Sequence, residues 1–167
     1  MTVPDLIVVL LRMLELKTPH AHDHHWLRVA QAAPIIQRAV RAERSAQPLE
    51  LVGAVMVKES SVRWTSDGRK NGPLLVGAAG EVGYMQTKPD GRAGEICADL
   101  DIYRPLENVQ CGVRLLDLAE RECGGEPLDW LIHYNHPAAA CGPSEYARRV
   151  LAILARAKLA AVLAAEP

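Results

Sequence analysis

In the stretch LELVGAVMVKESSVRW, residues 49–64, a carboxylic acid stands where the pattern calls for core. At helical spacing Val52, Val55, Met56 and Glu59 share one face. Three of them are plain packing residues; the fourth is an acid at the C-terminal end of the run. Burial on an apolar face disfavours the ionised carboxylate, and so does the negative end of the helix dipole. Both effects raise the pKa, which suits a general acid working near neutral pH. Lys58 would act the other way, but the helical wheel points it about 100° round, towards the Leu51 side. The alternative for Glu59 is a frayed helix end in solvent.

Other groups able to do chemistry lie further along. GEVGYMQTKP, Gly80 to Pro89, brackets a turn with glycines and presents Tyr84, Met85 and Gln86. An aromatic face, a thioether and an amide suit a sugar, although any turn can carry them. In HYNHPAAACGPSEYARRVL, Tyr134 and Asn135 close a helix before a loop; they reach a ligand, or serve as a packing residue and a C-cap. HAHDHH brings together His20, His22, Asp23, His24 and His25, and the spacing of His20 and His24 fits a metal if the segment is helical. Pro19 and the loop context favour a solvated turn with Asp23 as an N-cap. The four cysteines, Cys97, Cys111, Cys123 and Cys141, lack the C-x-x-C spacing of a zinc ribbon. They are free buried thiols, or one or two disulfides in an exported protein, with three pairings open.

Helices must position these groups. Proline and glycine punctuation predicts one from Pro4 to about Leu16 and a second pattern resuming at Trp26. Pro34 opens a further helix at its first turn, running to about Arg44. Another runs from Pro48 to Glu59. Residues 60–89, with five glycines and two prolines, read as a functional loop or a short ribbon. Helices over Ala93–Leu100, Pro105–Cys123 and Pro127–Tyr134 follow, and Ser144 caps a last one to about Ala165. The expectation is a mainly α chain, with strand confined to about 62–87.

At 167 residues the chain suits one domain with a real core. With 19 basic and 20 acidic residues, bulk charge favours neither nucleic acid nor an acidic polymer. No apolar run is long enough to span a bilayer. LIVVLL, Leu6 to Leu11, has no basic residue before it and is followed by Arg12 and Glu15, so it reads as an amphipathic helix rather than a signal peptide.

Taken in order, VKESS, GYMQTKP, NVQCGVRLL, HYN and YARRVL resemble the catalytic domain of soluble-type, goose-lysozyme-like lytic transglycosylases. The resemblance spans about Ala33 to Leu154. It implies a lysozyme-like fold for residues 33–167, with 1–32 as an N-terminal helical extension packed on the core, the helix Pro105–Cys123 running through the middle, and the N-terminal helices outside. By position, Glu59 takes the place of the family's catalytic acid/base, with Ser60 beside it. Gly83, Tyr84, Met85 and Gln86 match the Gly-Leu-Met-Gln turn, with Tyr for Leu. Asn108 and Gly112 match its structural Asn and Gly, and Tyr134 and Asn135 its cleft Tyr-Asn. The chain departs from the family at His133, at His136-Pro137 and in a longer segment between Glu59 and Gly83.

What the resemblance implies for function is cleavage of peptidoglycan between N-acetylmuramic acid and N-acetylglucosamine, without metal or cofactor. One acid serves both proton transfers, and the product carries a 1,6-anhydro ring. A hydrolase would normally need a second carboxylate, for which Asp67, Glu81 and Asp90 are candidates and Glu81 the foremost. A wall-binding module without activity is the remaining alternative, against which the intact Glu59-Ser60 pair argues. The expected partner is the glycan strand, met by a monomer in the periplasm, the envelope or a phage particle. The resemblance also implies a Cys123–Cys141 bond tying the loop after Asn135 across the cleft edge, leaving Cys97 to pair with Cys111.

Overall fold

The computed structural model describes residues 1–17, 25–67 and 72–163. It is mainly α, with helices α1 (Val3–Lys17), α2 (His25–Ala42), α3 (Leu49–Ser60), α4 (Gly91–Ile96), α5 (Pro105–Cys123), α6 (Pro127–Asn135) and α7 (Glu145–Leu163). Strand is limited, among the described residues, to three isolated antiparallel bridges: Thr65 with Leu74, Val76 with Val82, and Val82 with Thr87. His20, His22, Asp23 and His24 of the candidate metal cluster lie outside the described residues. No helix among the described residues is long and apolar enough to cross a membrane.

Several boundaries fall where local chemistry sets them. Pro105 and Pro127 occupy first-turn positions of α5 and α6, where a missing N–H leaves nothing unpaired. Gly124 and Gly125, both at positive φ, end α5. The Ser144 hydroxyl accepts the Ala147 N–H at 3.0 Å and so caps α7. Pro34 behaves otherwise. It lies inside α2 and opens no new helix. The proline forfeits one backbone bond, but Val29, Ala32, Ala33, Ile36, Ala39 and Val40 form one continuous buried face across it. Burial of that face holds the two halves in register.

The helix in the middle is also not the expected one. α5 buries one face and leaves Glu120, Arg121 and Glu122 exposed. By contrast α3 is buried at every position from Leu51 to Val57, enclosed by α1, α2 and α7. The expectation for α5 rests on the family resemblance, whereas the burial of α3 from Leu51 to Val57 depends on the helices packed round it. α1 lies against α2, α3 and α7. Its Leu6, Leu10, Met13 and Leu14 are fully buried in the same cluster as the α3 residues, each worth roughly 1.5–3 kcal/mol.

Disulfides join Cys97 to Cys111 and Cys123 to Cys141. The first ties the end of α4 to α5 within a small cluster with Ile102. The second ties the end of α5 to the loop after α6, whose Gly142 N–H also bonds the Asp129 carbonyl at 2.7 Å.

Candidate active site

A cavity of about 750 Å³ opens beside the C-terminal end of α3, with Glu59, Glu81, Gln86, Lys88, Tyr134 and Asn135 among its lining residues. Glu59 arrives on the last turn of α3, which stops at Ser61 in a left-handed conformation. Burial raises its pKa. Against that act a hydrogen bond from the Tyr146 hydroxyl and the charges of Lys58 and Lys17, while Glu81 adds a smaller upward push. The Tyr146 hydroxyl donates to Glu59 Oε1 at 2.6 Å, which leaves Oε2 for another partner. Lys58 is nearer than the helical wheel implied: its ammonium lies 5.2 Å from the centre of the Tyr146 ring. Lys17 donates to the carbonyls of Val57 and Lys58, at 2.5 and 3.0 Å. The Val57 carbonyl also accepts the Ser61 N–H, so Lys17 is its second donor, and at both carbonyls its charge offsets part of the helix dipole.

The turn from Gly83 to Gln86 forms the facing wall. Gly83 is at φ 68°, and a Cβ there would meet the Trp64 ring at 2.3 Å. Met85 is clamped through its backbone. Its N–H donates to Asn108 Oδ1 at 3.0 Å, and its carbonyl accepts the Tyr134 hydroxyl at 2.7 Å. The Asn108 amide also donates to the Val82 carbonyl, Thr87 Oγ1 and the Ile102 carbonyl, at 2.9, 2.9 and 3.2 Å. Gly112 lets the Met85 side chain lie directly on α5, because a Cβ would stand 2.6 Å from Met85 Cε. Asn108 and Gly112 therefore shape the site without entering it.

Of the residues singled out from sequence, Glu59, Gln86, Tyr134 and Asn135 meet at the cavity. Ser60, Tyr84 and Met85 do not. Ser60 is buried, its hydroxyl donating to the Met56 carbonyl at 3.1 Å. Tyr84 packs on Trp64, ring centres 5.4 Å apart, and Met85 is fully buried. The turn sends these two side chains inward because an apolar ring and thioether gain more from the core than from the wet wall. Gln86, at φ 48°, stays on the cavity, its amide donating to the Gly83 carbonyl at 2.8 Å. Glu81 and Asp90 also line the cavity. Glu81 is held within its own turn by the Ala79 N–H at 3.0 Å, with Lys88 at 3.9 Å.

Sequence reasoning did not assign a role to Tyr146. Its one signal was its place in YARRVL, on a buried position of α7. Its ring stacks on Tyr134, centres 6.3 Å apart. Burial, followed by the nearby Glu59 charge, raises the pKa of both phenols well above the ordinary range, so both remain donors. One group of three metal-type side chains occurs among the described residues, Cys123, His133 and Cys141. Its two sulfurs are joined to each other as the disulfide.

No family model matches this chain, and no curated protein or solved structure shows significant similarity to it.

Proposed function

We propose that this protein is a peptidoglycan lytic transglycosylase of lysozyme-like architecture, with Glu59 as its acid and base. The observation that carries the reading is a partly desolvated glutamate at the edge of the 750 Å³ cavity, its Oε1 held by a buried tyrosine and its proton affinity raised by burial. That is the state a general acid requires. Glu59 first gives its proton to the glycosidic oxygen between N-acetylmuramic acid and N-acetylglucosamine, and the bond breaks with help from the substrate's acetamido group. The resulting carboxylate then takes the proton of the muramic C6 hydroxyl as that oxygen attacks C1. The 1,6-anhydro ring closes, Glu59 is protonated again, and no water is consumed. Gln86 and Asn135 supply amides for the sugar, while Tyr146 fixes the carboxyl.

The protein works on glycan strands as a monomer, in the periplasm, the cell envelope or a phage particle, without metal or cofactor. A second reading, a hydrolytic lysozyme, has one observation in its favour: Glu81 lines the same cavity and its charge acts on Glu59. The test is mass spectrometry of the products from purified peptidoglycan. Anhydro fragments, one water lighter than hydrolytic ones and absent with Glu59→Gln, support the transglycosylase. Hydrated reducing ends replace it with the lysozyme and Glu81. Absence of any fragment from the native protein rejects both.

A further inference from the structure

A second pocket, of about 460 Å³, shares no lining residue with the cavity of Glu59. It is lined by Lys17, Lys58, Arg149, Ala152, Ile153 and Arg156. Four of these six are cations, and they converge from three elements: the end of α1, the end of α3 and one face of α7. Positions 149, 152, 153 and 156 form a helical stripe, two guanidinium groups separated by a small apolar floor.

The Glu59 charge acts on both lysines, from beyond ion-pair distance. Among the described residues, Lys17, Lys58 and Arg156 make no ion pair with a carboxylate. The Lys17 ammonium is bonded to two neutral carbonyls, and Lys58 faces the Tyr146 ring. Arg149 pairs with Glu145 at 2.8 Å, but both side chains are largely in solvent, where such a pair is worth little. Within the cluster Lys58 repels Lys17, and the Glu59 charge acts on Lys17 the other way. Burial of its ammonium, then the neighbouring Lys58 charge, push Lys17 down to about 8. An anion placed among these groups relieves both effects. Guanidinium forks match phosphoryl oxygens in pairs, lysines add point charge, and Ala152 and Ile153 leave room for an ester substituent.

We propose that the pocket formed by Lys17, Lys58, Arg149 and Arg156 is a binding site for a phosphoryl group, carried by a soluble phosphate compound or by a lipid headgroup. Tyr146 stands between this site and Glu59, its ring towards Lys58 and its hydroxyl on the acid. A bound phosphoryl group therefore offsets the lysine charges that act on Glu59. The site itself does not depend on the reading of the Glu59 cavity.

The experiment is calorimetric titration of the full chain with inorganic pyrophosphate at low salt, beside Arg156→Ala, Lys58→Met and, as a control, Arg121→Ala. Arg156 is exposed and Lys58→Met keeps an apolar stem, so both variants should fold, which circular dichroism checks. The expected result is saturable binding, weakened about tenfold or more by each pocket variant, as for loss of a charge-assisted hydrogen bond, and unchanged by Arg121→Ala. No saturable binding, or binding that both pocket variants leave intact, overturns the proposal. Where binding is found, cosedimentation with vesicles containing phosphatidylglycerol, against phosphatidylcholine alone, separates the sources. Retention on the anionic vesicles that both pocket variants abolish assigns the group to a lipid headgroup, and its absence assigns a soluble phosphate.

Discussion

Replacing Asn108 with leucine should unfasten the Gln86 wall of the cavity at a measurable loss of stability. Asn108 is fully buried. Its two amide hydrogens serve the Val82 carbonyl, Thr87 Oγ1 and the Ile102 carbonyl, so one hydrogen is shared. Its oxygen takes the Met85 N–H. Leucine has similar bulk and none of these groups. The Val82 carbonyl keeps the Thr87 N–H at 3.3 Å, whereas the Met85 N–H loses the acceptor it has. A buried donor left unpaired costs about 1–3 kcal/mol, and each further lost bond about 0.5–1.5 kcal/mol. The sum is about 4 kcal/mol, a large part of the stability of an ordinary domain. Urea unfolding with the disulfides intact gives the loss, and hydrogen exchange at the Met85 amide locates it. Thr87→Val, which removes one acceptor, should lose only about 1 kcal/mol. The reasoning fails if Asn108→Leu is destabilised by less than about 1 kcal/mol, or if its Met85 amide stays as protected as in the native protein.

Other outcomes follow from the same geometry. Burial holds the folded pKa of Glu59 above its unfolded value, so the folded chain binds that proton more tightly. Its contribution is complete below the ordinary carboxylate range and is lost as pH rises through the folded pKa. Glu59→Gln should therefore melt higher than the native protein above that pKa and gain nothing in acid, as thermal melts across pH would record. After burial, the Tyr146 hydroxyl is the strongest influence on Glu59, and it acts downward. Tyr146→Phe should move the Glu59 titration further up, read by carbon NMR of labelled glutamate and assigned with Glu59→Gln; an unchanged or lower midpoint contradicts the pairing. Replacing Cys123 and Cys141 together by serine opens a loop of 18 residues and should cost about 3 kcal/mol in denaturant unfolding.

Punctuation along the chain was a sound guide to the helices because capping and proline effects are local. Pro105, Pro127 and Ser144 act within a turn of themselves, and the corresponding starts are where the residues placed them. Pro34 shows the limit. Its local penalty is real, but a buried face running from Val29 to Val40 outweighs it, and that face exists only once α1 and α5 pack there. Helical spacing likewise put Glu59 on the inward side of α3. It misjudged Lys58, whose half-buried side chain reaches the Tyr146 ring of α7, a neighbour that spacing along α3 does not place.

The sequence by itself determined a mainly helical chain, the position of an acid at a helix end, and a turn able to bring Gln86 to a wall. These depend on neighbours a few residues away. Only the tertiary structure decided which side chains of that turn face inward, and which groups surround the acid. Tyr146 lies 87 residues from Glu59, and Lys17 reaches the end of α3 from another helix. The proton affinity of a carboxyl depends on what stands within a few ångströms of it, and spacing along one helix carries no information about the helices packed across from it.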